Sequence, residues 1–302
     1  MIDLCPNLYT LFSILIPTYN YNVYPLVEEL HRQCSEINNL EFEILVFDDG
    51  SQLFHAENLK INNLSNCYYC ILEKNSGRTA TRNLLAQNAT FENLLFLDTD
   101  VRVISSNFII NYLPHLNKPE WVVFGGCDYH HESYSFDTSL RFHYGKKREA
   151  INSSKRNLKP YKHILSANFL ISKKEFLALD IPNQNAYGMD LFFSYLLIKH
   201  QKKILHINNA VWHCGLEKNE VFLEKSMKSV RIRKEQWRDI KEISDNNSLL
   251  KTYNQLNFFP LNVILKGSFK LSNKTLKKCF FKPVPILWAF DLYRLLYLFS
   301  LN

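Results

Sequence analysis

The sequence predicts an α/β fold with a mostly parallel sheet, and three observations predict it. Short apolar runs alternate with helix-periodic segments through the first hundred residues. Three of the first four runs end in polar loops rich in Asp, Asn, Gly or Thr. One of them, Leu94-Leu95-Phe96-Leu97, stops abruptly at Asp98-Thr99-Asp100.

Residues 11–16 form a β-rich run closed by Pro17, the first predicted strand. Val23, Leu26, Val27, Leu30, Cys34 and Ile37 then recur at helical spacing. Residues 42–47 are the second strand and lead into Asp48-Asp49-Gly50-Ser51. Residues 67–72 are the third, followed by Glu73-Lys74-Asn75-Ser76-Gly77-Arg78 and a helix over 78–89. In a parallel sheet this order gathers Thr18, Asp48, Asp49, Gly77 and Asp100 along one edge, where open α/β sheets bind ligands. Taken as the end of a strand, Asp98 and Asp100 share a face, because side chains alternate with period two. Two hard oxygen ligands at that spacing suit Mg²⁺ or Mn²⁺ holding a diphosphate. Arg78 and Arg82 lie one turn apart at the positive end of a helix, a natural anion site.

The second half is less regular. Residues 121–127 predict a strand, and 130–159 a loop-rich polar, aromatic and basic stretch facing a substrate. Residues 162–172 contain a further strand that begins with Ser166-Ala167-Asn168. Tyr187-Gly188-Met189-Asp190 precedes an apolar helix over 191–198, so Asp190 is either an N-cap or a functional carboxylate. After a strand at 203–207, His213 is expected in a loop, where it would complete a metal shell. Residues 217–243 are charged and helical, with Leu223, Met227, Val230 and Trp237 as the buried stripe.

Charge narrows the function classes. All of the +7 formal excess lies in the tail, because seven lysines between Lys251 and Lys282 meet no acidic residue and Asp291 cancels Arg294. A nucleic-acid-binding core would carry its own basic face, so no nucleic-acid partner is expected. Eight glycines and ten prolines in 302 residues exclude long linkers and collagen-like repeats. Seven cysteines are scattered through apolar runs. The Cys67-Tyr68-Tyr69-Cys70 pair lies on a strand, which turns its two sulfurs to opposite faces, so reduced cysteines are expected. No basic n-region or small-residue cleavage site opens the sequence, so a cytoplasmic location is expected. Residues 284–299 are apolar-rich but carry Asp291 and Arg294 in their middle, which makes spanning a bilayer costly. The tail is expected to pack on its own body or on a second copy, or to lie peripherally on the inner membrane face, drawn by its lysines.

With Ile16-Pro17-Thr18-Tyr19-Asn20, Asp48-Asp49-Gly50-Ser51, Asn75-Ser76-Gly77-Arg78…Arg82-Asn83 and Asp98-Thr99-Asp100 in this order, the chain resembles family 2 glycosyltransferases of the GT-A fold. The resemblance covers residues 11 to about 230. It implies a donor half at 1–116, an acceptor and catalytic half at 117–245 and a basic tail at 246–302. It implies that Thr18, Tyr19, Asp48, Asp49 and Arg82 meet the base and ribose of a nucleotide-sugar, a UDP-sugar first among them. Asp98 would meet the sugar or ribose, with Pro17, Asn75, Gly77, Arg78 and Thr99 completing the donor set. It further implies Mn²⁺ or Mg²⁺ on Asp100 and His213, Asp190 as general base, and an acceptor side touched by Ser166 and Asn168. The acceptor would be a glycan or glycolipid of bacterial surface-polysaccharide synthesis, attacked with inversion. Relatives carry a Glu-Asp pair after the Tyr-Gly, where this chain has Met189-Asp190 and one residue fewer. A degenerate, non-catalytic nucleotide-sugar-binding or scaffold protein is therefore the alternative. A sugar nucleotidyltransferase would need a glycine-rich, lysine-containing loop after Ile16, and none follows. A receiver-type domain is too short to explain residues 130–302.

Overall fold

The structure, a computed structural model, describes residues 10–131, 134–183, 187–258 and 260–301. Cys5 lies outside them. The strands in chain order are β1 (Thr10–Thr18), β2 (Leu40–Asp48), β3 (Cys67–Ile71), β4 (Asn93–Leu97) and β5 (Val101–Val103). Then follow β6 (Trp121–Phe124), β7 (Cys127–Asp128), β8 (Asn168–Ser172), β9 (Lys203–His206) and β10 (Val211–His213). Two compact units emerge. The first comprises residues 1–127, 165–185 and 200–213; the second comprises 128–164, 186–199 and 214–302.

The first unit is organised by a seven-stranded sheet in the order β3-β2-β1-β4-β8-β6-β9. Every pairing is parallel except the two made by β8. Strands covered on both faces read as unbroken apolar runs rather than alternating ones, and Ile14, Leu15, Ile16 and Leu94 to Leu97 are all fully buried. Phe96 stacks on Phe169 across the β4–β8 pair at 4.9 Å, and Phe176 closes on Phe96 at 4.5 Å. Register aligns the strand ends: Thr18 pairs with Asp48, and Asp48 with Ile71. The helix Tyr24–Ser35 buries Leu26, Val27, Leu30 and Cys34, the stripe its spacing predicts. Cys67 is buried and Cys70 exposed, as alternation on a strand requires.

The second unit is mainly helical. The predicted loop at 130–159 contains the helices Ser139–Arg148 and Ser153–Asn157. Its signal was hidden because the inner face of Ser139–Arg148 mixes Leu140 and Phe142 with Arg141, Ser139 and Gly145. Two apolar clusters hold the unit together. The terminal helix Leu287–Ser300 contributes Phe290, Tyr293 and Leu296 to one, and Leu298 and Phe299 to the other. So this helix packs on its own unit, with Asp291 bonded to Arg148 at 2.7 Å and to Arg294. No helix among the described residues is long and apolar enough to cross a membrane. The preceding helix Leu261–Phe280 buries only Leu276 and Phe280.

Candidate active site

Polar loops at the parallel edge of the first unit's sheet bind one another through short, mostly backbone-directed hydrogen bonds. Asp48 accepts from the Ser51 amide at 2.8 Å and from the Tyr69 hydroxyl. Asp49 accepts from the amides of Ser76 and Gly77, each at 2.7 Å, and so pins the loop that opens the helix Arg78–Asn88. Gly77 has a φ of +90°, a conformation that costs an L side chain about 1–2 kcal/mol. The Thr18 and Thr99 hydroxyls meet at 2.9 Å, joining the loops after β1 and β4. Both Asp48 and Asp49 are buried. Pro17 is buried near the end of β1, whereas Tyr19 and Asn75 are exposed.

Asp98 and Asp100 do not act as a same-face pair. β4 ends at Leu97, so strand alternation stops one residue before Asp98. Asp98 turns inward to Arg82 at 2.6 Å and Arg78 at 3.1 Å. Burial pushes its pKa up, but the Arg78 and Arg82 guanidiniums, with a contribution from His213, outweigh that and hold it below the usual carboxylate range. Arg82 also donates to the Ser166 hydroxyl at 2.9 Å and the Ser166 carbonyl at 2.6 Å. Asp100 instead lies 3.5 Å from His213 Nε2. Antiparallel pairing of β5 with β10, which sets His213 opposite Val101, creates this proximity. The histidine expected in a loop is therefore the last residue of a short strand.

Asn168, expected on the acceptor side, is buried and committed to structure. Its amide donates to the carbonyls of Gly126 and Asn209 at 3.1 and 2.8 Å, and its oxygen accepts from Tyr112 at 2.6 Å. Asp190 lies in the second unit as the second residue of the helix Met189–Lys199, past the capping position. Met189 is buried with Val230 and Trp237. Gly188, at φ +93°, is required where it stands, because a Cβ there would overlap the Ser229 hydroxyl. Sequence reasoning named Ser51 only within the Asp48-Asp49-Gly50-Ser51 run and missed Tyr69 and Ser229. Only the Tyr69–Asp48 hydrogen bond and the close approach of Gly188 to Ser229 single those two out.

A carboxylate oxygen and an imidazole nitrogen form a donor set that Mn²⁺ and Mg²⁺ accept. Among the described residues no group of three or more His, Cys, Asp and Glu side chains could hold a metal ion. Asp100 and His213, 3.5 Å apart, are two side chains of those types, and an ion on them would need its remaining ligands from outside the described side chains.

This architecture is the GT-A glycosyltransferase fold. The structure of S. aureus TarS 1-349 aligns with a TM-score of 0.55 at 18% identity, over 95% of this chain and 89% of that one. Its complex with UDP-GlcNAc aligns with a TM-score of 0.54 at 16% identity, over 95% and 89%. The mannosyltransferase PcManGT from Pyrobaculum calidifontis, in complex with GDP-Man and Mn²⁺, aligns at 0.56 with 14% identity, over 95% and 85%. No curated protein matches the chain. The glycosyl transferase family 2 profile matches residues 13–174, more than half of the sequence, and the chain belongs to that family.

Proposed function

We propose that this chain is an inverting glycosyltransferase that moves a sugar from a nucleotide-sugar, a UDP-sugar foremost, to an acceptor hydroxyl in surface-polysaccharide or glycolipid synthesis. One observation carries the reading: the strand-end loops of a family 2 transferase are tied together beside an Asp100–His213 pair 3.5 Å apart. The division into a donor half at 1–116, an acceptor half at 117–245 and a tail at 246–302 belongs to the same proposal. So does the donor set of Pro17, Thr18, Tyr19, Asp48, Asp49, Asn75, Gly77, Arg78, Arg82, Asp98 and Thr99.

Asp100 and His213 would hold a divalent ion, which when bound supplies positive charge opposite a departing diphosphate. Asp98 is not a ligand in this scheme, since both of its oxygens accept from arginines. It fixes Arg82 and steadies Arg78, whose half-exposed guanidinium adds positive charge near a helix start. Asp190 takes the proton of the attacking hydroxyl, and a single base without a covalent intermediate inverts the anomeric centre. The degenerate reading is supported by Met189, which sits in an apolar cluster where the family resemblance implies a glutamate.

A thermal-shift panel of UDP-, GDP- and dTDP-sugars with and without Mn²⁺ tests the class. Metal-dependent stabilisation by one nucleotide, lost in Asp100→Ala, is the expected result; no response to any donor overturns the transferase reading. We further assign the peripheral membrane contact to the helix Leu261–Phe280. Lys266, Lys270, Lys274 and Lys278 recur every fourth residue on its exposed side beside exposed Val263, Ile264 and Leu271. Each lysine near an anionic surface contributes about 1 kcal/mol. Flotation with phosphatidylglycerol liposomes should recover the full chain and lose the fourfold Lys→Glu variant; equal recovery of both removes the membrane contact.

A further inference from the structure

Among the described residues the second unit encloses the guanidiniums of Arg141, Arg156, Arg233 and Arg294, and three of them are answered, Arg156 by the Ile151 carbonyl at 2.9 Å. Arg141 pairs with Glu149 at 3.1 Å and Glu217 at 3.4 Å. Arg294 pairs with Asp291 and lies over the rings of Phe290 and Tyr144, at 4.7 and 5.4 Å. Arg233 is different. Among the described residues, no carboxylate, hydroxyl or carbonyl accepts from it; its Nε, like those of Arg141 and Arg294, is buried without a hydrogen-bond partner. It opens the π-helical turn Arg233–Trp237, a local widening that recurs at functional sites. Four residues earlier, the Ser229 hydroxyl is likewise buried and has no partner among the described residues. Gly188 adjoins both: a Cβ there would overlap the Ser229 Oγ and lie 3.7 Å from Arg233 Nη2.

Unpaired buried polar groups cost free energy and call for an explanation. Burial, then the neighbouring Arg294, lowers the pKa of Arg233 to about 10, so it stays charged at neutral pH in a field its neighbours leave positive. A planar fork of donors suits an oxyanion bidentately. The adjacent hydroxyl offers a third donor, which suits the three free oxygens of a phosphate better than the two of a carboxylate. Neither group serves the proton transfer assigned to Asp190.

We propose that Arg233 and Ser229, which Gly188 lets approach its backbone closely two residues before Asp190, seat a phosphate group carried by the acceptor. The acceptor is then a phosphorylated one rather than a neutral glycan. This rests on the assignment of residues 117–245 to the acceptor, but its test does not require turnover.

The test is calorimetric titration of the full chain with inorganic phosphate, with acetate and chloride at matched ionic strength as controls. Phosphate should bind saturably and more tightly than acetate. Arg233→Gln should weaken it at least about tenfold, Arg233→Lys by less, and Ser229→Ala by about threefold. UDP binding in the presence of Mn²⁺ should be unchanged in all three variants. Phosphate binding no better than chloride overturns the site and leaves the two groups to ordered water. Acetate binding as tightly overturns the phosphate class. Loss of UDP together with phosphate in Arg233→Gln assigns the seat to the donor and overturns the acceptor role. Should Arg233→Gln fail to fold by circular dichroism, Ser229→Ala decides, and unchanged phosphate affinity there overturns the proposal. If UDP fails to bind the parent chain while phosphate still titrates at Arg233, the transferase reading falls and the anion seat stands.

Discussion

Gly77 and Gly188 have nearly the same φ, +90° and +93°, and each directly precedes a helix, one in each unit. Their surroundings differ. The Gly77 amide is held by Asp49, which is itself fixed by a second amide, so that loop is closed around its own carboxylate. Gly188 faces a serine hydroxyl and a guanidinium that have no protein partner among the described residues. The sheet edge is thus tied together by its own hydrogen bonds, with Asp98 answered by Arg78 and Arg82. The helical unit retains a donor pair, Ser229 and Arg233, to which we assign an anion. On the proposed reading, a preorganised donor side and an acceptor side that takes an anion suit an enzyme whose acceptor supplies its own charge.

Asp190→Asn would break this comparison most strongly. As a positioned base it should contribute about 10³-fold to transfer, while UDP affinity stays at the parent value. Initial rates of sugar transfer under saturating donor measure this. Transfer within tenfold of the parent would remove Asp190 as the base and return it to a helix-start carboxylate.

Next comes the matched charge of the sheet edge. Arg82→Met leaves Asp98 buried beside Arg78 alone and should cost about 3 kcal/mol of stability. The acid limb carries the same information. The folded-state pKa of Asp98 lies below its unfolded value of about 3.9. Its contribution is therefore complete above that unfolded value and is lost as pH falls through the lower, folded one. Thermal denaturation from pH 7 to pH 2.5 should show the parent well above Asp98→Asn at neutral pH and the two curves converging in acid. A constant offset across that range would mean that packing, not charge, holds the arginines.

How much of this was legible in the sequence differs between the two units for the same physical reason. Residues in register on parallel strands must finish together, so Thr18, Asp48 and the loop before Arg78 could be gathered from chain order alone. Strands of three residues carry no periodicity. The β5–β10 pairing that brings His213 to Asp100 therefore left no trace beyond the two residue types. Asp98 misled because alternation was carried one step past Leu97, where β4 stops. Arg233 was invisible: a charged residue on a charged helix looks solvated until its neighbours are known.

The two glycines also give the finest comparison. Alanine at Gly77 meets the strain of a positive φ, about 1–2 kcal/mol. Alanine at Gly188 meets the same strain and, in addition, displaces the Ser229 hydroxyl. Chemical denaturation should therefore rank Gly188→Ala below Gly77→Ala by about 1 kcal/mol. Ser229→Ala in the Gly188→Ala background should recover part of that difference, since it removes the overlapping oxygen and leaves the backbone strain in place. In the Gly77→Ala background Ser229→Ala should simply add, because those residues share no partner. Equal costs for the two glycines, with no coupling to Ser229, would mean that the serine turns aside freely and that the space beside Arg233 is softer than a phosphate seat requires.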